Sequence, residues 1–78
     1  MEETNQDVIA GLLGIMDIIR ESDYNEDQIR DALKNVVNLL PNSTFTASQK
    51  MIISVLDEFA DNREKLYFQI SMVLLDLG

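Results

Sequence analysis

Read at about 100° per residue, the apolar positions of this chain divide into four helical stretches, and the last is unlike the others. Over residues 63–77, Leu66, Ile70, Val73, Leu74 and Leu77 fall on one face, with Tyr67 at its edge. That is the i, i+3, i+4, i+7 pattern of a core-facing helix. A second stripe, Phe68, Met72 and Leu75, runs up the other side. The polar residues left over are Glu64, Lys65, Gln69, Ser71 and Asp76, too few for a solvated face. A helix that is apolar nearly all round is covered on more than one side. Either it is the central helix, wrapped by the other elements, or its second stripe meets another chain. Burying Phe68, Met72 and Leu75 would stabilise either arrangement by roughly 1.5–3 kcal/mol each.

The first stretch predicts a helix over residues 5–21, capped by Thr4 or Asn5, with Thr4 and Asp7 at the spacing of a capping box. Val8, Ile9, Leu12, Leu13, Ile15, Met16 and Ile19 form its apolar face. Gly11 and Gly14 lie on the opposite side beside Ile18. Each costs about 1 kcal/mol relative to alanine in a helix. They are either tolerated surface glycines, the simpler reading, or a place where another backbone comes close. Residues 22–24 read as a turn. Asn25 and Gln28 then read as an N-cap with a reciprocal box. The helix they start, over 26–40, turns Ile29, Leu33, Val36, Val37 and Leu40 inward, flanked by Ala32. Asp27, Arg30, Asp31, Lys34 and Asn38 face water, and Pro41 ends it.

Residues 41–45 are the one real loop. Thr46 and Gln49 form a capping box for a third helix over 47–60, and Phe45 precedes the cap as a hydrophobic staple. Ile52, Val55, Leu56, Phe59 and Ala60 are expected inward. Between this helix and the last there is neither glycine nor proline. The stripe Ile52, Leu56, Phe59, Arg63, Leu66, Ile70 continues across the junction in heptad steps. A single helix over 47–77 would be roughly 46 Å long and would require a dimer to cover it. A tight turn near residues 61–62, with Asp61 and Glu64 capping the fourth helix, is the preferred reading. Arg63, the one charge on the stripe, is placed at its edge, its stem on apolar surface and its head in water. The alternative is a core position paired with Asp61, Glu64 or an acid of another chain. No run carries the period-two alternation of a strand. The expected fold is all-α: one domain over residues 1–78, a small bundle of four helices.

Composition narrows the function classes. The chain has 78 residues, no cysteine and no histidine. Disulfides, thiolate metal sites and the commonest general base and metal ligand are therefore absent. The formal net charge is −8, from 14 acids against 6 bases. Direct nucleic-acid binding needs a basic footprint, and an anionic membrane surface is disfavoured for the same reason. The longest apolar run, residues 8–16, is too short to span a bilayer, and the acidic start has the wrong sign for a secretory signal. A cytoplasmic location is expected.

The acids gather between the first two helices: Glu21, Asp23, Glu26, Asp27 and Asp31, with only Arg20 and Arg30 among them. Asp23, Asn25 and Asp27 match the first ligands of a calcium loop, but the match then fails. Gln28 stands where the sharp turn needs glycine, and Lys34 where a bidentate Glu is needed. Acids at a helix start also complement its dipole, and Glu26 can pair with Arg30 one turn on. No serine has a base to activate it and no glycine-rich loop is present, so neither catalysis nor a cofactor or metal site is expected. These features predict a non-enzymatic protein–protein interaction module, an acidic helical adaptor or inhibitor of a basic protein partner. The acidic cluster would be the partner's landing site, and the chain a homodimer through Phe68, Met72 and Leu75. A nucleic-acid mimic that inhibits a DNA- or RNA-binding protein, or a purely structural assembly subunit, are the alternatives.

Overall fold

Four α-helices build the computed structural model, which describes residues 2–21 and 25–77: α1 (Glu2–Arg20), α2 (Glu26–Leu39), α3 (Ala47–Ser54) and α4 (Arg63–Leu77). Two 3-10 turns, Leu40–Asn42 and Leu56–Phe59, follow α2 and α3. No strand occurs among the described residues. The predicted turn at residues 22–24 lies outside them. α1 and α2 make the most extensive contact, and α4 closes the bundle against both α1 and α3.

The core is one continuous apolar cluster. Val8, Leu12 and Ile15 of α1 meet Ile29, Leu33 and Val36 of α2, Ile53 and Leu56 after them, and Leu66, Ile70 and Val73 of α4. No polar or charged side chain among the described residues is buried in it. The inward faces of α2 and α4 therefore follow the expected periodicity; on α1 Leu13 is half exposed, Ile9 is only partly buried, and Ile18, expected on the opposite side, packs against the core.

The glycines of α1 part company. A Cβ on Gly11 would stand 2.7 Å from Cγ2 of Val36, whereas one on Gly14 would meet nothing within 4 Å. Gly11 thus lets α2 approach, and Gly14 is a surface glycine. Val36 is buried and β-branched, so its methyl has little room to give. Gly11→Ala is expected to lower the urea midpoint despite its better helix propensity, through about 1–3 kcal/mol of overpacking. Gly14→Ala should raise the midpoint, with up to about 1 kcal/mol gained. Equal midpoints for the two variants would contradict the close approach.

Caps set the boundaries. Asn25 accepts the Gln28 amide N–H at 3.2 Å, and Thr46 with Gln49 forms the full reciprocal box. Glu26 pairs with Arg30 at 2.8 Å, as the spacing predicts. Two expected caps are corrected. α1 begins at Glu2, so Thr4 and Asn5 lie inside it. The Asn5 amide instead clips the loop after α2, donating to Thr44 Oγ1 at 2.6 Å and accepting the Thr44 N–H at 3.0 Å. α4 is capped by Asn62, not Asp61: its Oδ1 accepts the Lys65 N–H at 3.1 Å.

The third helix is shorter than expected and turned. It ends at Ser54, whose hydroxyl bonds back to the Met51 carbonyl. Val55 then leaves helical geometry at φ −103°, ψ 5°. Ile53 is buried, and Ile52 and Val55 are exposed against expectation, while Leu56 and Ala60 are buried and Phe59 packs against the core as expected. Because the chain turns at residues 61–62, α3 takes its orientation from α2 and α4 and need not share α4's phase. The continuous-helix alternative is also excluded by size, since the longest axis of the molecule is 34 Å.

Arg63 sits at the edge of the core, half-buried. Its guanidinium donates to the backbone carbonyls of Ile19 and Glu21 at the end of α1. Terminal helix carbonyls carry partial negative charge and lack partners within the helix, so Arg63 caps α1 from α4. Arg63→Met keeps the stem and removes the donors. It is expected to cost about 1–3 kcal/mol, read as a lowered urea midpoint; an unchanged midpoint would show that water replaces the cap freely.

Candidate interaction surface

The stripe that the sequence leaves in question is uncovered in the single chain. Phe68 is 59% exposed, Met72 52% and Leu75 78%. α4 is therefore not a central helix wrapped by the rest. The two faces of α4 divide cleanly, because Leu66 and Ile70, two residues either side of Phe68, are fully buried.

α3 adds to this surface. Its unexpected orientation brings Ile52 out beside α4, and Ile52, Phe68, Met72 and the edge of Val73 line an open groove of roughly 380 Å³. Val55, one turn on from Ile52, and Leu75, one turn on from Met72, are exposed as well. Several large apolar side chains exposed on and around one groove are the usual mark of a contact surface.

Gln49, Gln69 and Asp76 are the polar part of the groove lining. The Gln49 side chain does two things: its oxygen accepts the Thr46 N–H and its nitrogen donates to Asp76 Oδ2 at 2.8 Å. The box that starts α3 thereby ties it to the last turn of α4 and fixes Asp76 at one end. Glu64, one turn before Phe68 on α4, is exposed just outside the lining of the groove. The outer row of α4 thus reads Glu64, Phe68, Met72, Asp76 in steps of four, acid to acid around an apolar centre.

The expected acidic landing site lies elsewhere. Glu21 is exposed just beyond α1, and Glu26 and Asp27 are exposed in the first turn of α2. Asp31 is exposed one turn further on and lines a second groove, between α2 and α3. Asp23 is outside the described residues. The Glu26 hydrogen bond raises the Arg30 guanidinium further above its already high pKa, against the opposing effect of desolvation and with the help of the nearby Asp57 and Asp61 charges. Arg30 also donates to the Asp57 carbonyl at 3.3 Å. Arg63 reaches the same end of the bundle from a position 42 residues away in sequence. The cluster thus stands among more cations than its local sequence suggests.

Among the described residues no group of three or more acidic, histidine or cysteine side chains is placed to hold a metal ion. No described helix is long and apolar enough to cross a membrane. Compared with protein-family models, with curated proteins and with solved structures, the chain matches none.

Proposed function

We propose that this chain is a cytoplasmic, non-enzymatic protein-interaction module, an acidic helical adaptor or inhibitor whose partner is a basic protein. The observation that supports this reading best is the exposed row Phe68, Met72 and Leu75, joined by Ile52 across a groove. Large apolar side chains gathered in one exposed patch are the usual centre of a protein–protein contact. The acidic end at Glu21, Asp23, Glu26, Asp27 and Asp31 adds long-range attraction, which speeds encounter more than it tightens the complex. The chain is the bait in the test, as wild type and as the Phe68→Glu, Met72→Glu double variant, in extract from its own source cells. The reading expects a protein retained by the wild type and lost from the variant, which then binds the wild type when both are pure. Identical recoveries on the two baits would remove the patch from any partner contact.

The same exposure suits a second copy of the chain, the homodimer expected from the sequence. Sedimentation velocity from micromolar to millimolar concentration separates the two occupants: a dimer abolished by Phe68→Glu would assign the patch to self-association.

A further inference from the structure

We infer that the α3–α4 groove takes a basic amphipathic helix of another protein, its apolar row against Ile52, Phe68 and Met72 and its cations against Asp76 and Glu64. The inference rests on the interaction-module reading and adds the chemistry of the partner segment.

Shape is the first reason. The patch is a groove between two neighbouring helices, with Phe68 and Met72 on one wall and Ile52 on the other. A groove of this kind accepts a convex row of side chains spaced i, i+3, i+4, i+7. A twofold dimer would set the same surface against itself, whereas a single convex helix fills the groove directly. Methionine in the wall suits an inserted side chain whose shape is not fixed in advance.

Charge is the second reason, and it selects the sign. Asp76 and Glu64 stand one turn beyond the apolar residues at either end, and each chain carries a net charge of −8. A second copy would bring a further −8 to the same surface. A basic helix would bring cations to both ends. Asp76 is already held in place by Gln49, so its remaining carboxylate oxygen is oriented before the partner arrives. Lys65, on the same turn as Glu64, is directed elsewhere, with Nζ 5.8 Å from the Phe59 ring centroid.

The test uses the full chain and a synthetic probe: a dye-labelled 18-residue helix of leucine and lysine, with leucines on one face. Its counterpart replaces every lysine with glutamate. Fluorescence anisotropy is read at about 0.05 M and 0.5 M salt, spanning a several-fold change in screening length. The inference expects saturable one-to-one binding of the leucine–lysine helix and none of the leucine–glutamate helix. Met72→Gln with Phe68→Ser should weaken binding at least tenfold, at both salt concentrations. Glu64→Gln with Asp76→Asn should weaken it several-fold at low salt. The triple Asp23→Asn, Glu26→Gln, Asp27→Asn, though it removes more charge, should weaken it less than that pair does. Circular dichroism confirms that each variant is folded.

Equal binding by the groove variant, or a larger loss in the triple, would overturn the inference and leave only general attraction between acid and base. Binding of the leucine–glutamate helix would overturn the choice of sign. A wild-type dimer that the probe does not dissociate would give the groove to a second copy. If the probe fails but a source-cell protein still depends on Phe68 and Met72, the basic helix is wrong and the interaction-module reading stands. If neither depends on them, both fall.

Discussion

The Leu66→Ala variant is expected to lose about 2–5 kcal/mol of stability and to melt roughly 10–30 °C below the wild type. Leu66 is fully buried in the first turn of α4, where the helix closes the core made by α1, α2 and the 3-10 turn after α3. Truncation removes its own transfer free energy and leaves a cavity beneath a helix start that has no room to collapse. A domain of 78 residues has a total stability on the order of 4–12 kcal/mol. One truncation therefore takes a large share of it, and at the low end of the range the variant is mostly unfolded at 37 °C. Urea titration followed by circular dichroism checks this. A loss below 1 kcal/mol would mean that α4 is not docked as described.

Two residues along the same helix the expectation reverses. Phe68→Glu should leave the stability of the isolated chain within about 0.5 kcal/mol of wild type. The ring is more than half exposed, and a glutamate there meets water. Partner binding, however, should fall at least a hundredfold. An aromatic anchor at the centre of an interface commonly contributes 2 kcal/mol or more, and the substitution also sets a carboxylate against the partner's apolar row, where it would be desolvated without a cation. Unfolding measured at several protein concentrations keeps the two effects apart. If Phe68→Glu is destabilised like Leu66→Ala at every concentration, Phe68 is core. If it is destabilised only relative to a concentrated wild type, the stripe is buried by a second copy.

The contrast between Leu66 and Phe68 was legible in the sequence as two stripes, because a helix maps spacing directly onto faces. Periodicity alone does not say which stripe is inside; only the number of helices available to cover them decides that. The four-helix order and the inward faces of α2 and α4 were legible for the same reason. So were the Thr46–Gln49 box and the Glu26–Arg30 pair, which depend on neighbours three and four residues apart.

What the sequence hid depends on tertiary contact. Ile52 and Val55 read as core when residues 47–60 are taken as one regular helix. The Ser54 back-bond and the non-helical Val55 break the helix, and Ile53 takes the inward place. Without that rotation α4 would carry a stripe but no groove. Arg63 reads as an intrusion on a heptad, and its carbonyl partners on α1 are visible only once α4 is folded against that end. Gly11 and Gly14 look alike in the sequence. Val36 tells them apart, and no local pattern places Val36 over one and not the other.

The contact surface proposed here is the groove of α3 and α4, with Asp76 in its lining and Glu64 one turn before Phe68 on α4. Methyl-resolved NMR of the wild-type chain, titrated with the leucine–lysine helix, tests it most directly. Ile52, Met72 and Leu75 report from the groove and the stripe beside it. Leu13, half exposed, and Met51, 66% exposed, are apolar surface outside it and serve as internal controls. Saturable shifts are expected at Ile52, Met72 and Leu75, with Leu13 and Met51 unmoved. Shifts of equal size at Leu13 and Met51, or shifts confined to the methyls near the start of α2, would contradict this assignment.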